Sequence, residues 1–266
     1  MDDKQILEFR DFLVHLVAIA AAVATPYFRT PVVVESKMTN GYDPVTAADR
    51  TTEDALRIAI SRRYPDHGIA GEERDAVNPS SRFQWVIDPI DGTKAFVCGL
   101  PTWSTLIALC DGSVPILGVM SQPIVGEYFI SGLSIAEQVS SRGRQRLATS
   151  STAQLRDASL FATSPDMFTE AAELQGFSAL SDKVRLTRFG VDSYAYCMLA
   201  AGFIDIVAEA GLGFYDIAAL VPIIEQSGGI ITTWTGEPVR QGGTVLAAAN
   251  RSLHDGALAL LRDARD

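Results

Sequence analysis

The pattern of apolar and polar positions predicts helices and strands in two successive groups. Apolar residues at helical spacing over 4–28 predict a long first helix that ends near Pro26. Thr46 and Asp49 have the spacing of a capping box, which predicts a second helix from there to about Arg63. Apolar runs at 84–88, 103–110, 114–120 and 127–132 then predict the strands of a mainly antiparallel sheet.

The second group follows a polar and basic stretch, 140–151, which we expect to join two halves. Strands are predicted at 159–163, 184–188, 204–209, 229–234 and 244–248, and helices near 168–175, 192–201, 216–227 and from 252. Pro222 predicts a kink in the helix over 216–227, and Gly228-Gly229 predicts its end. We therefore expect an α+β fold with mixed and antiparallel sheets, one compact unit with halves at 1–145 and 146–266.

Composition narrows the class of protein. The chain has 266 residues, 47% of them hydrophobic, which is enough for a sizeable core. Its formal charge of −10 argues against nucleic-acid binding through a general basic surface. The three cysteines lack the spacing of a zinc site, and the first residues lack the basic region of a signal peptide. No apolar run is long enough to span a membrane. These features favour a cytoplasmic protein with no membrane partner.

The most informative stretch is 85–93, Trp-Val-Ile-Asp-Pro-Ile-Asp-Gly-Thr. An apolar strand is predicted to break at Pro89, where Asp88 and Asp91 stand three residues apart. Two carboxylates beside a buried strand end repel each other unless a cation intervenes, and Mg²⁺ prefers carboxylate and phosphate oxygens. Backbone N–H groups at Gly92 and Thr93 suit a phosphate. The stretch therefore predicts a metal-dependent phosphate site.

Four motifs together carry a resemblance that covers nearly the whole chain. They are Pro44-Val45-Thr46-Ala47-Ala48-Asp49, Gly71-Glu72-Glu73, the stretch from Asp88 to Thr93, and Tyr215-Asp216-Ile217-Ala218-Ala219 ahead of Gly228-Gly229. With them the chain resembles the inositol monophosphatase-like family of Mg²⁺-dependent phosphatases. The resemblance implies a layered α-β-α-β-α sandwich, a phosphate monoester as substrate, and a homodimer.

The resemblance also implies roles for individual residues. Glu72, Asp88 and the carbonyl of Ile90 would hold one Mg²⁺. Asp88, Asp91 and Asp216 would hold a second, and Glu72 would lie near a third, so two or three ions are expected per subunit. Thr93, polarised by Asp49, would deprotonate the attacking water, and the N–H groups of Gly92 and Thr93 would hold phosphate oxygens.

Two further acids favour a particular substrate. Glu209 matches the position at which the family holds a substrate hydroxyl, and Asp192 replaces a residue that is usually small. A buried carboxylate needs a partner, and a cationic alcohol would supply one. Lys94-Ala95 and Tyr215 are similar to the histidinol-phosphatase branch. We therefore expect hydrolysis of L-histidinol phosphate to L-histidinol and phosphate, a step of histidine biosynthesis.

Alternatives stay open at this point. Within the enzyme class, the chain could be an inositol-1-monophosphatase or a broad sugar or nucleotide phosphatase. From another class, it could be a regulatory module that keeps the fold and binds protein or RNA. Asp192 could be only a helix N-cap. Arg188, a candidate for the substrate phosphate, could instead neutralise nearby acids, and Lys37 in the polar loop 35–43 could be solvated.

Overall fold

The computed structural model describes residues 1–31, 34–36 and 44–263, and its first elements follow the predicted pattern. Helix α1 (Asp3–Ala24) ends in a 3₁₀ turn at Thr25–Tyr27. Strands β1 (Val34–Ser36) and β2 (Pro44–Thr46) pair antiparallel, and α2 (Ala47–Arg63) begins with the predicted capping box. Residues 32–33 and 37–43, with Lys37 among them, lie outside the described residues.

The next part of the chain forms a seven-stranded sheet in sequential order, antiparallel except for its first pair. Its elements are β3 (Gly68–Gly71), β4 (Phe83–Asp91), α3 (Thr93–Val97), β5 (Ser104–Asp111), β6 (Val114–Gln122), β7 (Glu127–Gly132), β8 (Ile135–Ser140) and β9 (Gly143–Arg146). Strand β4 does not break at Pro89 as expected. It continues to Asp91 across a register shift, because Asp91 pairs again with Ser104 of β5, and the Pro89 carbonyl accepts a hydrogen bond from the Thr105 hydroxyl at 2.8 Å.

The predicted connection 140–151 needs correction, because much of it is sheet. Strand β9 pairs antiparallel with β8 at the edge of the first sheet. All four residues of β9 are exposed, so the segment carries no alternation of apolar and polar side chains. The pattern that identifies a half-buried strand is therefore missing from it.

The rest of the chain forms a five-stranded mixed sheet of order β11-β10-β12-β14-β13. Its elements are β10 (Ser159–Ala162), α4 (Ala171–Ser181), β11 (Leu186–Phe189), α5 (Tyr194–Ala200), β12 (Ile206–Leu212), α6 (Phe214–Ile217), α7 (Leu220–Gln226), β13 (Ile230–Thr232), β14 (Gly243–Ala248) and α8 (Arg251–Asp263). The predicted helix 216–227 is interrupted at Ala218 and Ala219 rather than at Pro222. A proline ring clashes with the carbonyl four residues earlier, which here belongs to Ala218.

Helices and sheets alternate in five layers, which confirms the predicted α+β fold. Helices α1 and α2 pack on the face of the first sheet that carries Trp85 and Ile87. Helices α5, α6 and α7 lie between the two sheets, where Val86 shares a core with Val207. Helices α4 and α8 cover the outer face of the second sheet. Among the described residues, no helix combines the length and apolarity needed to cross a bilayer.

Candidate active site

Three aspartates meet where the end of β4 faces the start of α6. Oxygens of Asp88, Asp91 and Asp216 all lie within 4.8 Å of one another. Asp88 is 2% exposed, and burial together with the charges of Glu72, Asp91 and Asp216 raises its pKa well above its usual value. Burial and Asp91 raise the pKa of Asp216 in the same way. Such a cluster of hard oxygen donors fits a divalent cation.

Glu72 lies beside this cluster, directly after the neighbouring strand β3. It follows β3, and its backbone N–H donates to the carbonyl of Ile87 at 3.2 Å, which continues the parallel pairing of β3 with β4. This register places Glu72 beside Asp88, and its charge contributes to the raised pKa of both Asp88 and Asp216. The structure therefore brings together all four acids that the sequence analysis proposed as metal ligands.

Asp91 is also tied to the second half of the chain. Its Oδ2 accepts a hydrogen bond from the backbone N–H of Ser193 at 2.9 Å. The hydroxyl of Ser193 in turn lies 2.8 Å from the hydroxyl of Ser104 on β5. Both serines are buried, so the contact joins the two halves within the core.

Asp49 and Thr93, the predicted catalytic pair, are in contact. Asp49 is fully buried in the first turn of α2, and its Oδ2 accepts hydrogen bonds from the backbone N–H and the hydroxyl of Thr46 at 2.8 and 2.7 Å. Its Oδ1 lies 3.3 Å from the Thr93 hydroxyl, which is also 3.0 Å from the carbonyl of Ile90. A hydroxyl carries one hydrogen, so Thr93 donates to one of these two acceptors at a time.

Gly92 connects the acidic strand to α3. It adopts the left-handed conformation, with φ of 77°, and directly precedes the first residue of α3. A Cβ at this position would lie 3.0 Å from Cγ of Asp192. The first N–H groups of a helix have no acceptor within the helix, so those near Gly92 and Thr93 are available to an anion.

These residues line one cavity of about 500 Å³. Of the predicted site residues it includes Glu72, Asp88, Ile90, Asp91, Gly92, Thr93, Asp192 and Asp216. The sequence analysis missed Thr163, Met167 and Thr169, which lie in the connection between β10 and α4. Their position after a strand was the only signal available. Among the described residues that line the cavity, Lys94 is the one with a cationic side chain.

Asp192 enters the cavity from an unusual turn. Gly190, Val191 and Asp192 have φ values of 94°, 72° and 44°, and this conformation is costly for a β-branched valine. Asp192 is not the N-cap of α5, because Ser193 occupies that position. Burial and the charges of Asp91 and Glu209 raise the pKa of Asp192 to about 8, and Lys94 acts in the opposite direction.

Two proposed substrate contacts lie outside the cavity lining. Glu209, 2% exposed on β12, accepts hydrogen bonds from the backbone N–H of Thr163 at 2.6 Å and from the Tyr196 hydroxyl at 2.8 Å. Arg188 is exposed on the edge strand β11. The structure does not bring these two side chains into the cavity, and their contact with substrate stays a prediction.

Comparison of the sequence with models of protein families tests the resemblance that the motifs indicated. The model that describes the inositol monophosphatase family matches residues 5–266. This chain belongs to the inositol monophosphatase family. Membership makes the chain a phosphoric monoester hydrolase, in agreement with the acidic cleft.

Individual members of the inositol monophosphatase family are similar over most of the chain. A chloroplastic bifunctional phosphatase of Arabidopsis thaliana is 40% identical over 89% of this chain and 70% of its own. A histidinol-phosphatase of Streptomyces coelicolor is 36% identical over 94% of this chain and 95% of its own. The solved structure of an inositol monophosphatase from Zymomonas mobilis superposes with a TM-score of 0.82 at 37% identity. The superposition covers 93% of this chain and 95% of that one.

Proposed function

We propose that the chain is a Mg²⁺-dependent phosphatase that hydrolyses L-histidinol phosphate to L-histidinol and phosphate. The observation that carries the proposal is the carboxylate of Asp192, which lines the cavity beside Gly92. Glu209 adds a second acid behind the wall of the cavity. Histidinol has an ammonium group and a protonatable imidazole, and these would compensate both charges. The similarity to the histidinol-phosphatase of Streptomyces coelicolor supports the same substrate.

The acidic cluster would hold the metal ions. Glu72, Asp88 and the carbonyl of Ile90 would bind a first Mg²⁺, and Asp88, Asp91 and Asp216 a second, with Glu72 near a third. The oxygen donors and their mutual repulsion support this assignment. When bound, Mg²⁺ supplies Lewis acidity toward the phosphate and lowers the pKa of water.

The residues of the chain would orient the reactants and accept a proton. The N–H groups of Gly92 and Thr93 would hold phosphate oxygens in line with the attacking water. The Thr93 hydroxyl would accept the proton of the water while its own proton passes to Oδ1 of Asp49, 3.3 Å away. Asp192 would bind the cationic end of the alcohol and so fix the leaving group.

A substrate panel tests this proposal. Phosphate release from L-histidinol phosphate, inositol 1-phosphate and AMP would be measured at the same Mg²⁺ concentration, with EDTA as the control. We expect kcat/KM for L-histidinol phosphate to exceed the others by ~10-fold or more, because only this alcohol compensates the buried acids. Equal or slower turnover of L-histidinol phosphate would overturn the proposed substrate, and full activity in EDTA would overturn the metal requirement.

Inositol 1-phosphate is the second candidate substrate. The hydroxyl-bearing side chains of Thr163 and Thr169 line the cavity and could bind a polyol. A pKa of about 8 also leaves Asp192 largely protonated at neutral pH, and a neutral carboxyl can exchange hydrogen bonds with hydroxyl groups. In that case the panel would show inositol 1-phosphate as the preferred substrate.

A further inference from the structure

We propose that Glu53, together with Arg57, is a positioning residue for Glu72. The inference rests on the proposed role of Glu72 as a metal ligand. Glu53 lies on α2 four residues after Asp49, so the two acids share one face of the helix. It is fully buried and is not among the described residues that line the cavity. Any effect of Glu53 on the site must therefore pass through another residue.

The side chains of Glu53 and Arg57 bind one backbone group in each of three consecutive residues, 73–75. Oε2 of Glu53 accepts a hydrogen bond from the backbone N–H of Glu73 at 2.7 Å, and Oε1 accepts one from Nε of Arg57 at 2.7 Å. The guanidinium of Arg57 then donates to the carbonyls of Arg74 and Asp75 at 2.9 and 3.0 Å. The segment that follows Glu72 is thus fixed to α2 by one carboxylate and one guanidinium.

The residue before Glu72 is held against the same carboxylate. A Cβ at Gly71 would lie 2.2 Å from Oε1 of Glu53, so the close approach requires glycine. Glu72 itself is bound to β4 through its N–H and the carbonyl of Ile87 at 3.2 Å. The backbone on both sides of Glu72 therefore takes its position from Glu53, and Glu72 lines the same cavity as Asp88, Asp91 and Asp216.

A role in stability alone explains this arrangement poorly. Well-packed apolar side chains often replace a buried ion pair without loss of stability. An apolar pair could not bind one N–H and two carbonyls, so the charged pair meets a requirement of geometry. The neighbouring Asp54 binds Arg74 at 2.9 and 2.8 Å, but both side chains are exposed, which makes that pair a matched comparison.

Calorimetric titration of the full chain with Mg²⁺ tests the inference. We expect Glu53→Gln to weaken Mg²⁺ binding by ~10-fold or more, as is typical when a residue that orients a metal ligand is lost. Asp54→Asn, one residue along the same helix, should stay within ~2-fold of the wild type because its ion pair is exposed. Excess Mg²⁺ should restore much of the phosphate release of Glu53→Gln, which a purely structural defect would not allow.

Glu53→Asp provides a second variant in case Glu53→Gln does not fold. It keeps the negative charge but shortens the side chain by one methylene, so the carboxylate no longer reaches both Glu73 and Arg57. We expect the same loss of Mg²⁺ affinity, measured below the unfolding temperature of each variant. Wild-type affinity in a folded Glu53 variant would overturn the positioning role. Wild-type affinity in Glu72→Gln would instead overturn the ligand role of Glu72, and with it the inference.

Discussion

Oδ1 of Asp49 lies 3.3 Å from the hydroxyl of Thr93, while Oδ2 of the same carboxylate is bound by Thr46 at the start of α2. One carboxylate therefore both caps a helix and contacts the proposed proton donor. Because the capping bonds fix the carboxylate, its orientation toward Thr93 does not depend on substrate. This is the preorganisation that a weak base needs.

Removing the Thr93 hydroxyl should impair the reaction far more than the fold. We expect Thr93→Ala to lower kcat by ~10²–10⁴-fold, the usual contribution of a positioned acid–base group. Thr93→Ser keeps the hydroxyl and serves as the control, with a much smaller loss. Steady-state phosphate release and thermal unfolding of both variants check the prediction. Wild-type kcat in Thr93→Ala would contradict the proton route through Asp49.

Neutralising Asp88 should stabilise the metal-free protein. Its pKa is raised by burial and by the charges of Glu72, Asp91 and Asp216, so ionised Asp88 destabilises the fold when no cation is present. We expect Asp88→Asn to have a higher Tm than the wild type in EDTA at neutral pH, because the variant carries no charge at this buried position. Excess Mg²⁺ should raise the Tm of the wild type but not that of Asp88→Asn. A lower Tm of the variant in EDTA would contradict the repulsion.

Asp192 should give metal-free stability a definite pH dependence. Its pKa is about 8 in the folded protein, against an ordinary value of 3.8, so the folded state binds the proton more tightly than the unfolded state. The stability that this proton contributes is complete below pH 3.8 and is lost as the pH rises through about 8. Between these two pH values, the Tm measured in EDTA should therefore fall less steeply with rising pH for Asp192→Asn than for the wild type. Identical slopes would show that Asp192 does not titrate there.

Asp192→Asn should also lower kcat/KM for one substrate much more than for another. Asp192→Asn removes the charge that a cationic alcohol would meet, so kcat/KM for L-histidinol phosphate should fall by ~10-fold or more. Inositol 1-phosphate carries no cation and should change by less than ~3-fold. Phosphate-release assays on both substrates check this difference. An equal loss on both would indicate that Asp192 supports the cavity rather than selecting the alcohol.

Substitution of Gly92 by alanine should lower both the stability and the activity of the protein. The same substitution at Gly112 is a control for the loss of stability alone. Both have positive φ, 77° and 60°, so alanine at either should cost about 1–2 kcal/mol in unfolding free energy. An added Cβ at Gly92 also meets Cγ of Asp192 at 3.0 Å, whereas one at Gly112 meets nothing within 4 Å. Gly92→Ala should therefore also lower kcat/KM, and Gly112→Ala should not. Urea unfolding and phosphate release measure the two effects separately.

The sequence predicted those parts of the site that depend on local chemistry. The capping box of Thr46 and Asp49 and the acids around Pro89 are close in sequence, so spacing alone predicts a helix start and a metal site. The catalytic role of Asp49 was instead implied by the family resemblance. The exact end of β4 was not predictable, because it depends on the pairing of Asp91 with Ser104 on the neighbouring strand. Recognition of four separated motifs was needed before Asp216 could be placed beside them.

Other features depend on contacts that no local pattern records. The partners of Glu209, Thr163 and Tyr196, come from other elements and occupy both oxygens of its carboxylate. The left-handed conformation of Val191 contradicts the preference of a β-branched residue. Nothing in the chain near Glu53 indicates that it binds a segment twenty residues later.

The hydrogen bond from the N–H of Ser193 to Asp91 has a consequence for how such enzymes diversify. The group that binds Asp91 is a backbone amide, and it lies one residue from Asp192, the side chain that we propose binds the alcohol. Substitutions at Asp192 leave that amide in place, whereas an insertion, a deletion or a proline at Ser193 would remove it. New substrate ranges are therefore accessible through exchange of side chains in this turn, while its length and backbone path must be inherited unchanged.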